Sequence, residues 1–305
     1  MSEEFNRTAL RQKQSLPLEG KVILAQQRIR EWYEHWDGQV YVSFSGGKDS
    51  TVLLHLVRDL YPDVPAVFVD TGLEFPEIRK FAMSQENVTV IRPEMRFDRV
   101  VEELGYPVGS KAISRKISDA RRGLKWVIPY VNGTAREPRS GEKSRFCLSE
   151  RWRSLLDAPF NVSNKCCDVM KKAPFKVYQK QTGRKPFIGT MADESIMRRT
   201  AYLKTGCNAF DGANPSSKPL SIWLEKDVWE YIRSRDLSYA SVYDLGYDRT
   251  GCMFCMFGCH LEKAPNRFQK MKETHPRQYD YCMRSREEKG LGLREVLDYI
   301  GVEYE

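Results

Sequence analysis

Blocks of apolar and polar positions exchange periodicity along the first third of the chain. The 3.6-residue repeat of an amphipathic helix covers Lys21 to Trp36, a short apolar run follows from Val40 to Phe44, and helical periodicity returns from Thr51 to Leu60. The exchange repeats as strand Ala66 to Asp70, helix Phe75 to Gln85 and strand Val88 to Arg92. Further on, a helix from Asp168 to Gln181 precedes a strand from Phe187 to Thr190, and Val127 to Val131 reads as a short extended piece. Strands that alternate with helices are joined by right-handed crossovers, which cover both faces of a parallel sheet. The expected fold is α/β, a doubly wound parallel sheet with its ligand groups at the carboxyl ends of the strands. Beyond Leu224 helical patterns dominate, at Glu225 to Ser234, Glu262 to Glu273, Pro276 to Glu288 and Leu293 to Ile300. An α/β domain over 1–224 and a helical, cysteine-bearing extension over 225–305 follow from this, with Gly212 to Ser217 as the expected flexible joint.

The turn between the first strand and its helix reads Ser45-Gly46-Gly47-Lys48-Asp49-Ser50. Adjacent glycines let a backbone fold around an anion, the helix start offers unpaired N–H groups at the positive end of its dipole, and Lys48 adds a full charge. The spacing is not that of a Walker loop, and no GxGxxG is present, so neither of those nucleotide fingerprints applies. Asp49 beside bound phosphates implies a divalent cation between them, since like charges otherwise repel.

This loop resembles the pyrophosphate loop of the adenine nucleotide alpha-hydrolase-like ATP pyrophosphatases. Val69-Asp70-Thr71-Gly72-Leu73-Glu74-Phe75 is similar to the second motif of the phosphoadenosine phosphosulfate (PAPS) reductase family within that superfamily. Gly189-Thr190-Met191-Ala192-Asp193-Glu194-Ser195 with Arg198 resembles the third nucleotide segment of that family, and Lys218-Pro219-Leu220 through Trp223, Asp227-Val228-Trp229 and Tyr231-Ile232 its following one. The resemblance implies ATP held with Mg2+ by Ser45, Gly46, Gly47, Lys48, Asp49 and Ser50, with Lys48 and Asp49 as catalytic groups. It also implies Asp70 near the magnesium, Thr71 near adenine, and Gly189, Glu194, Ser195 and Arg198 closing the site. Attack on the α-phosphate would release pyrophosphate and leave an adenylylated acceptor that a sulfur nucleophile can displace.

Eight cysteines and no Ser-His-Asp pattern turn attention to metal ligands or reactive thiols rather than disulfides. Cys166 and Cys167 are adjacent, while Cys252 and Cys255 form a CxxC followed by Cys259. Soft thiolates on a four-ligand frame suit an iron-sulfur centre or zinc. The CC and CxxC sets resemble the ligands of a 4Fe-4S cluster in iron-sulfur sulfonucleotide reductases, with Cys207 and Cys259 as spare candidates. His260, next to Cys259, is a further candidate ligand or acid-base group. Those reductases also use a nucleophilic cysteine in a C-terminal segment, and the residues from Leu297 to Glu305 contain none. An adenylylating, sulfur-transferring enzyme is therefore expected ahead of a sulfonucleotide reductase or a non-catalytic partner subunit. A desulfurase-like or thioredoxin-like sulfur donor protein is the implied partner.

The 305 residues carry a formal charge of +8, and no uninterrupted apolar stretch is long enough for a membrane span. The polar start, Met1 to Gly20, lacks the apolar core of a secretory signal, so a cytoplasmic location is expected. Between Lys111 and Arg153 lie twelve Lys/Arg and four acids, with Trp126, Tyr130 and Trp152 interleaved, as if in a basic insertion. Such a mixture suits nucleic acid, a second phosphate group of a nucleotide, or a solvated surface.

Overall fold

The computed structural model describes residues 3–138 and 140–305. Its sheet has six strands, β1 (Val40–Phe44), β2 (Ala66–Val69), β3 (Val88–Ile91), β4 (Lys185–Ile188), β5 (Asn208–Ala209) and β6 (Ser216–Ser217), in the order β3-β2-β1-β4-β6-β5. Only the β5–β6 pairing is antiparallel. β1 lies between β2 and β4, with Val42 opposite both Ala66 and Phe187. Because the chain builds outward through β2 and β3 before returning to the other side of β1, the crevice between β1 and β4 is a topological switch point.

The chain forms two compact units: Met1–Asp70 with Glu74–Arg92 and Pro174–Thr250, and Thr71–Leu73 with Pro93–Ala173 and Gly251–Glu305. The expected division at Leu224 does not follow this partition. The helix Glu225–Ser234 belongs to the sheet-bearing unit, where Val228, Tyr231 and Ile232 are buried in one core with Ile29, Trp32, Leu53, Leu56 and Trp223. Asp227 on that helix meets Lys21 at 2.5 Å, the two side chains being 4% and 1% exposed, and also accepts the Leu224 N–H at 2.7 Å. Much of the expected nucleotide-binding motif from Pro219 to Ile232 thus serves the core. The second unit has its own interior, including Val100, Val108, Ile117, Leu155, Met256, Phe268 and Leu297.

Local differences from the sequence expectation have identifiable causes. Val127 to Val131 is helical rather than extended: Pro129 sits in the first turn of the helix Ile128–Val131, where the N–H it lacks has no intrahelical partner. The Gly212 to Ser217 joint is partly ordered, since Ser216 and Ser217 pair with Ala209 and Asn208. A polar helix, Glu3–Gln14, precedes the expected elements. Among the described residues, no helix is long and apolar enough to cross a membrane.

Replacing one member of a buried ion pair leaves the other uncompensated. Asp227→Ala should lower unfolding free energy by about 3–5 kcal/mol in denaturant titration, while the double change Lys21→Met, Asp227→Leu should recover most of the loss. Equal destabilisation by the single and double variants would show that the pair is not the source.

Candidate functional site

At the end of β1 the chain turns through Gly46 (φ +74°) into the helix Lys48–Leu60, three residues earlier than its apolar periodicity indicates. A Cβ on Gly46 would lie 2.9 Å from the Ile78 carbonyl oxygen, and one on Gly47 would lie 2.9 Å from the Thr250 hydroxyl. Gly46 is thus required by close backbone approach as well as by the turn, whereas Gly47 has an extended backbone (φ −81°) and is restricted only by side chains, the Thr250 hydroxyl nearest. Gly47 caps the helix without a side-chain hydrogen bond. The Ser50 hydroxyl instead ties the loop together, accepting the Ser45 N–H at 3.2 Å and donating to the Gly47 carbonyl at 2.8 Å.

Lys48 is 5% exposed, with its ammonium 3.1 Å from Glu225 and 3.0 Å from the Asp248 carbonyl oxygen. Burial opposes its charge, but Asp49 and Glu225 more than offset this, so its pKa is raised. Asp49 is raised too, chiefly by burial, with Lys48 and Arg198 acting in the opposite sense. Its Oδ1 is buried and has no hydrogen-bond partner among the described residues. An orphaned carboxylate oxygen at the mouth of an anion loop fits a divalent cation, which would supply the missing partner.

The third segment reaches the same place from β4. A Cβ on Gly189 would lie 3.0 Å from the Asp49 carbonyl oxygen, so the residue after β4 meets the first turn of the Lys48–Leu60 helix through a glycine. Glu194 accepts the Met191 N–H at 2.8 Å and pairs with Arg198, while Ser195 caps the helix Ile196–Thr205 by accepting the Arg198 N–H. Asp70 is differently committed: Arg79 holds its two oxygens at 2.9 and 3.0 Å and Arg92 adds a contact at 3.2 Å, which depresses its pKa. The expected magnesium role of Asp70 therefore competes with two guanidinium groups. Thr71, in the second unit, accepts the Leu73 N–H at 3.1 Å.

Tyr243 and Thr250 carry no motif and escaped sequence reasoning. The Tyr243 hydroxyl accepts the Lys48 backbone N–H at 2.8 Å and lies 3.0 Å from the Thr250 hydroxyl. Glu225 was likewise hidden as an ordinary first-turn acid of a helix.

Within the second unit, Cys166, Cys167, Cys252 and Cys255 line a single cavity with Leu73, Phe97, Pro107, Met170 and Lys171. The Cys166 and Cys167 sulfurs are 3.9 Å apart. The Cys166 thiol donates to Cys167, holding the latter down to about 5 with help from Lys111 and Lys171, while Cys166 is pushed up. Lys111, counted only toward the basic surplus in the sequence, thus has a specific neighbour. Cys207 lies in the first unit, and the Cys259 thiol donates to the Met256 carbonyl at 3.1 Å; neither lines the cavity. His260 stands edge-on to Trp152 at 4.7 Å. Among the described residues, no three Cys, His, Asp or Glu side chains converge as ligands of a single ion.

The phosphoadenosine phosphosulfate reductase domain model matches residues 39–109 and 118–257. The chain belongs to this family. In this PAPS reductase family member the match breaks at residues 110–117, where the basic stretch begins, and resumes through the rest of it. The chain is 26% identical to an adenosine 5'-phosphosulfate reductase of Anoxybacillus flavithermus over 83% of its own length and 88% of the relative's. It is 25% identical to an uncharacterized protein of Methanocaldococcus jannaschii over 81% of its own length, spanning 48% of that relative. A PAPS reductase structure from Candida auris in complex with phosphate aligns over 78% of this chain and 96% of that one, with 16% identity and a TM-score of 0.43.

Gly46 and Gly183 have nearly the same φ, but Gly183 faces open space. Gly183→Ala should cost about 1 kcal/mol from left-handed backbone strain, whereas Gly46→Ala should cost at least about 1 kcal/mol more. Chemical denaturation measures both, and equal losses would contradict the close packing at Gly46.

Proposed function

We propose that the chain binds ATP with Mg2+ at residues 45–50 and cleaves it to AMP and pyrophosphate during adenylylation of an acceptor. The observation that carries this reading is the buried, partnerless Asp49 Oδ1 beside Lys48. A bare phosphate would be repelled by that oxygen, whereas a polyphosphate brings its own cation. The cation would neutralise charge on the phosphates. The chain's own residues position and polarise: Lys48 adds a fixed positive charge, the loop amides receive phosphate oxygens, and Arg198 offers a planar pair of donors. A phosphate that takes the Lys48 N–H displaces the Tyr243 hydroxyl. The acceptor oxygen then bonds to the α-phosphorus as the bond to the pyrophosphate oxygen breaks, and a sulfur nucleophile displaces AMP in a second step.

Cys166, Cys167, Cys252 and Cys255 would hold a 4Fe-4S cluster that supports the sulfur chemistry. Four thiol side chains lining one cavity suit a soft metal centre. Zinc requires four ligands drawn around one ion at about 2.3 Å each, whereas the ligands of a cluster bind separate irons and stand further apart. Metal analysis of the purified protein therefore separates the two centres.

A second reading, sulfonucleotide reduction, is favoured by the similarity to the Anoxybacillus adenosine 5'-phosphosulfate reductase. There two thiols are oxidised to a disulfide as the sulfonucleotide gives sulfite and a nucleoside phosphate. A non-catalytic, nucleotide-binding subunit is the remaining option.

Anaerobically purified protein should release pyrophosphate from ATP when acceptor is present, and Asp49→Ala should reduce the rate at least about 100-fold. Sulfite formed only from a sulfonucleotide and a thiol would establish the second reading, and ATP binding without either product the third. Iron and acid-labile sulfide should both be present and fall together in Cys167→Ser and Cys255→Ser; zinc without iron would reject the cluster.

A further inference from the structure

We propose that the surface formed by residues 111–146 of the second unit binds single-stranded nucleic acid. Its distinguishing feature is a contiguous row of cations and aromatic rings. Arg115 lies over Trp126 at 5.1 Å, Trp126 meets Tyr130 edge-on at 6.0 Å, and Lys116 lies 5.6 Å from Tyr130 and 5.8 Å from Phe146. Arg145 completes the row, 5.0 Å from Phe146. The rings at either end remain open to solvent, Trp126 at 44% and Phe146 at 51% exposure. Ile128 and Leu124 beside them in the chain are 49% and 39% exposed.

Part of the charge at this surface is consumed by the fold, since Arg121 donates to the Leu155, Leu156, Ala158 and Phe160 carbonyls and Arg115 and Arg122 pair with Asp119, but part is not. Among the described residues, the side chains of Lys125, Arg136, Lys143 and Arg145 make no hydrogen bond or ion pair, and all four are exposed. Lys116 is buried to 8% exposure against two ring faces without a carboxylate partner. Of the neighbouring acids, Asp119 is paired with Arg115 and Arg122, Glu137 accepts the Ser144 hydroxyl at 2.6 Å, and Glu142 is exposed beside Lys143 in the chain. Arg139 lies outside the described residues and enters only as sequence charge.

Free cations alone would suit any polyanion. Half-exposed rings, Trp126 beneath Arg115 and Phe146 beside Arg145, add flat apolar surface on which an unpaired base can stack while its phosphates take charges of the same segment. A duplex keeps its bases stacked on one another, and an acidic peptide has no ring to offer, so single-stranded polynucleotide uses both parts of the surface. The inference goes beyond the reaction proposed for residues 45–50, since binding here requires no ATP.

The test is fluorescence anisotropy of the full chain, without ATP, on labelled 20-mers of oligouridine and oligothymidine and on a 20-base-pair DNA duplex. At least one single strand should bind more tightly than the duplex, with affinity falling as salt rises by roughly 0.7 log units per log unit for each phosphate contact. Trp126→Ala and Phe146→Ala should each weaken single-strand binding about 10-fold, with Trp126→Phe recovering most of the loss. Lys143→Glu with Arg145→Glu, both at exposed positions, should reduce the salt slope and serves as the second test if a ring variant fails to fold. Equal binding of strand and duplex that ignores Trp126 and Phe146 would overturn the proposal. So would binding of phosphatidylserine vesicles by a chain that binds neither single strand. Pyrophosphate release measured in parallel separates failure here from failure of the ATP reading.

Discussion

Close backbone approach at the ends of β1 and β4 is the constraint on which the nucleotide site depends. Gly46 passes against the Ile78 carbonyl and Gly189 against that of Asp49, leaving no room for a side chain at either position. This packing places the start of the Lys48–Leu60 helix at the switch point of the sheet and fixes Asp49 with one oxygen buried and unpartnered. Lys48, Glu225, Tyr243 and Arg198 surround the same few atoms. A polar network that is almost satisfied has a defined place for its missing member, and here its charge calls for a cation. The proposed nucleotide capture rests on that deficit together with the loop amides, with the loop glycines providing access.

The second unit solves a different problem. Its four cysteines come from segments far apart in sequence, yet they line one cavity, and Lys111 and Lys171 bias the adjacent pair toward a thiolate. A thiolate is the form of cysteine that would bind a metal in the proposed centre, and the Cys166 thiol, Lys111 and Lys171 all favour it at Cys167. The row from Arg115 to Arg145 belongs to the same unit but spends its cations on ring faces and solvent. The cysteine cavity and the ring-and-cation row thus belong to one compact unit, while the loop of residues 45–50 belongs to the other.

Much of this was legible in the sequence because local chemistry dictated it. The apolar run Val40 to Phe44 followed by two glycines allowed few alternatives to a buried strand and a tight turn, β2 and β3 appeared where periodicity placed them, and β4 formed two residues earlier than expected. The cysteine spacings identified the thiols that share a cavity. What stayed hidden depends on contacts distant in sequence. Asp227 looked like part of a nucleotide motif because nothing local reveals that Lys21 lies 2.5 Å away. Asp70 looked free for a metal until Arg79 and Arg92 were seen to hold it. Tyr243 reaches Lys48 from 195 positions downstream and carries no motif. The partition into units was also illegible, since the second unit is assembled from three separate segments, residues 71–73, 93–173 and 251–305, that alternate with those of the first.

The most direct measurement is calorimetric titration of ATP into the full chain, with Mg2+ present and with Mg2+ removed by a chelator. The expected result is tight binding that requires Mg2+ in the wild type and loses that requirement in Asp49→Asn, where the buried oxygen no longer carries charge. Equal ATP affinity with and without Mg2+ in the wild type would contradict a cation-completing role for Asp49 and, with it, the reading of the loop.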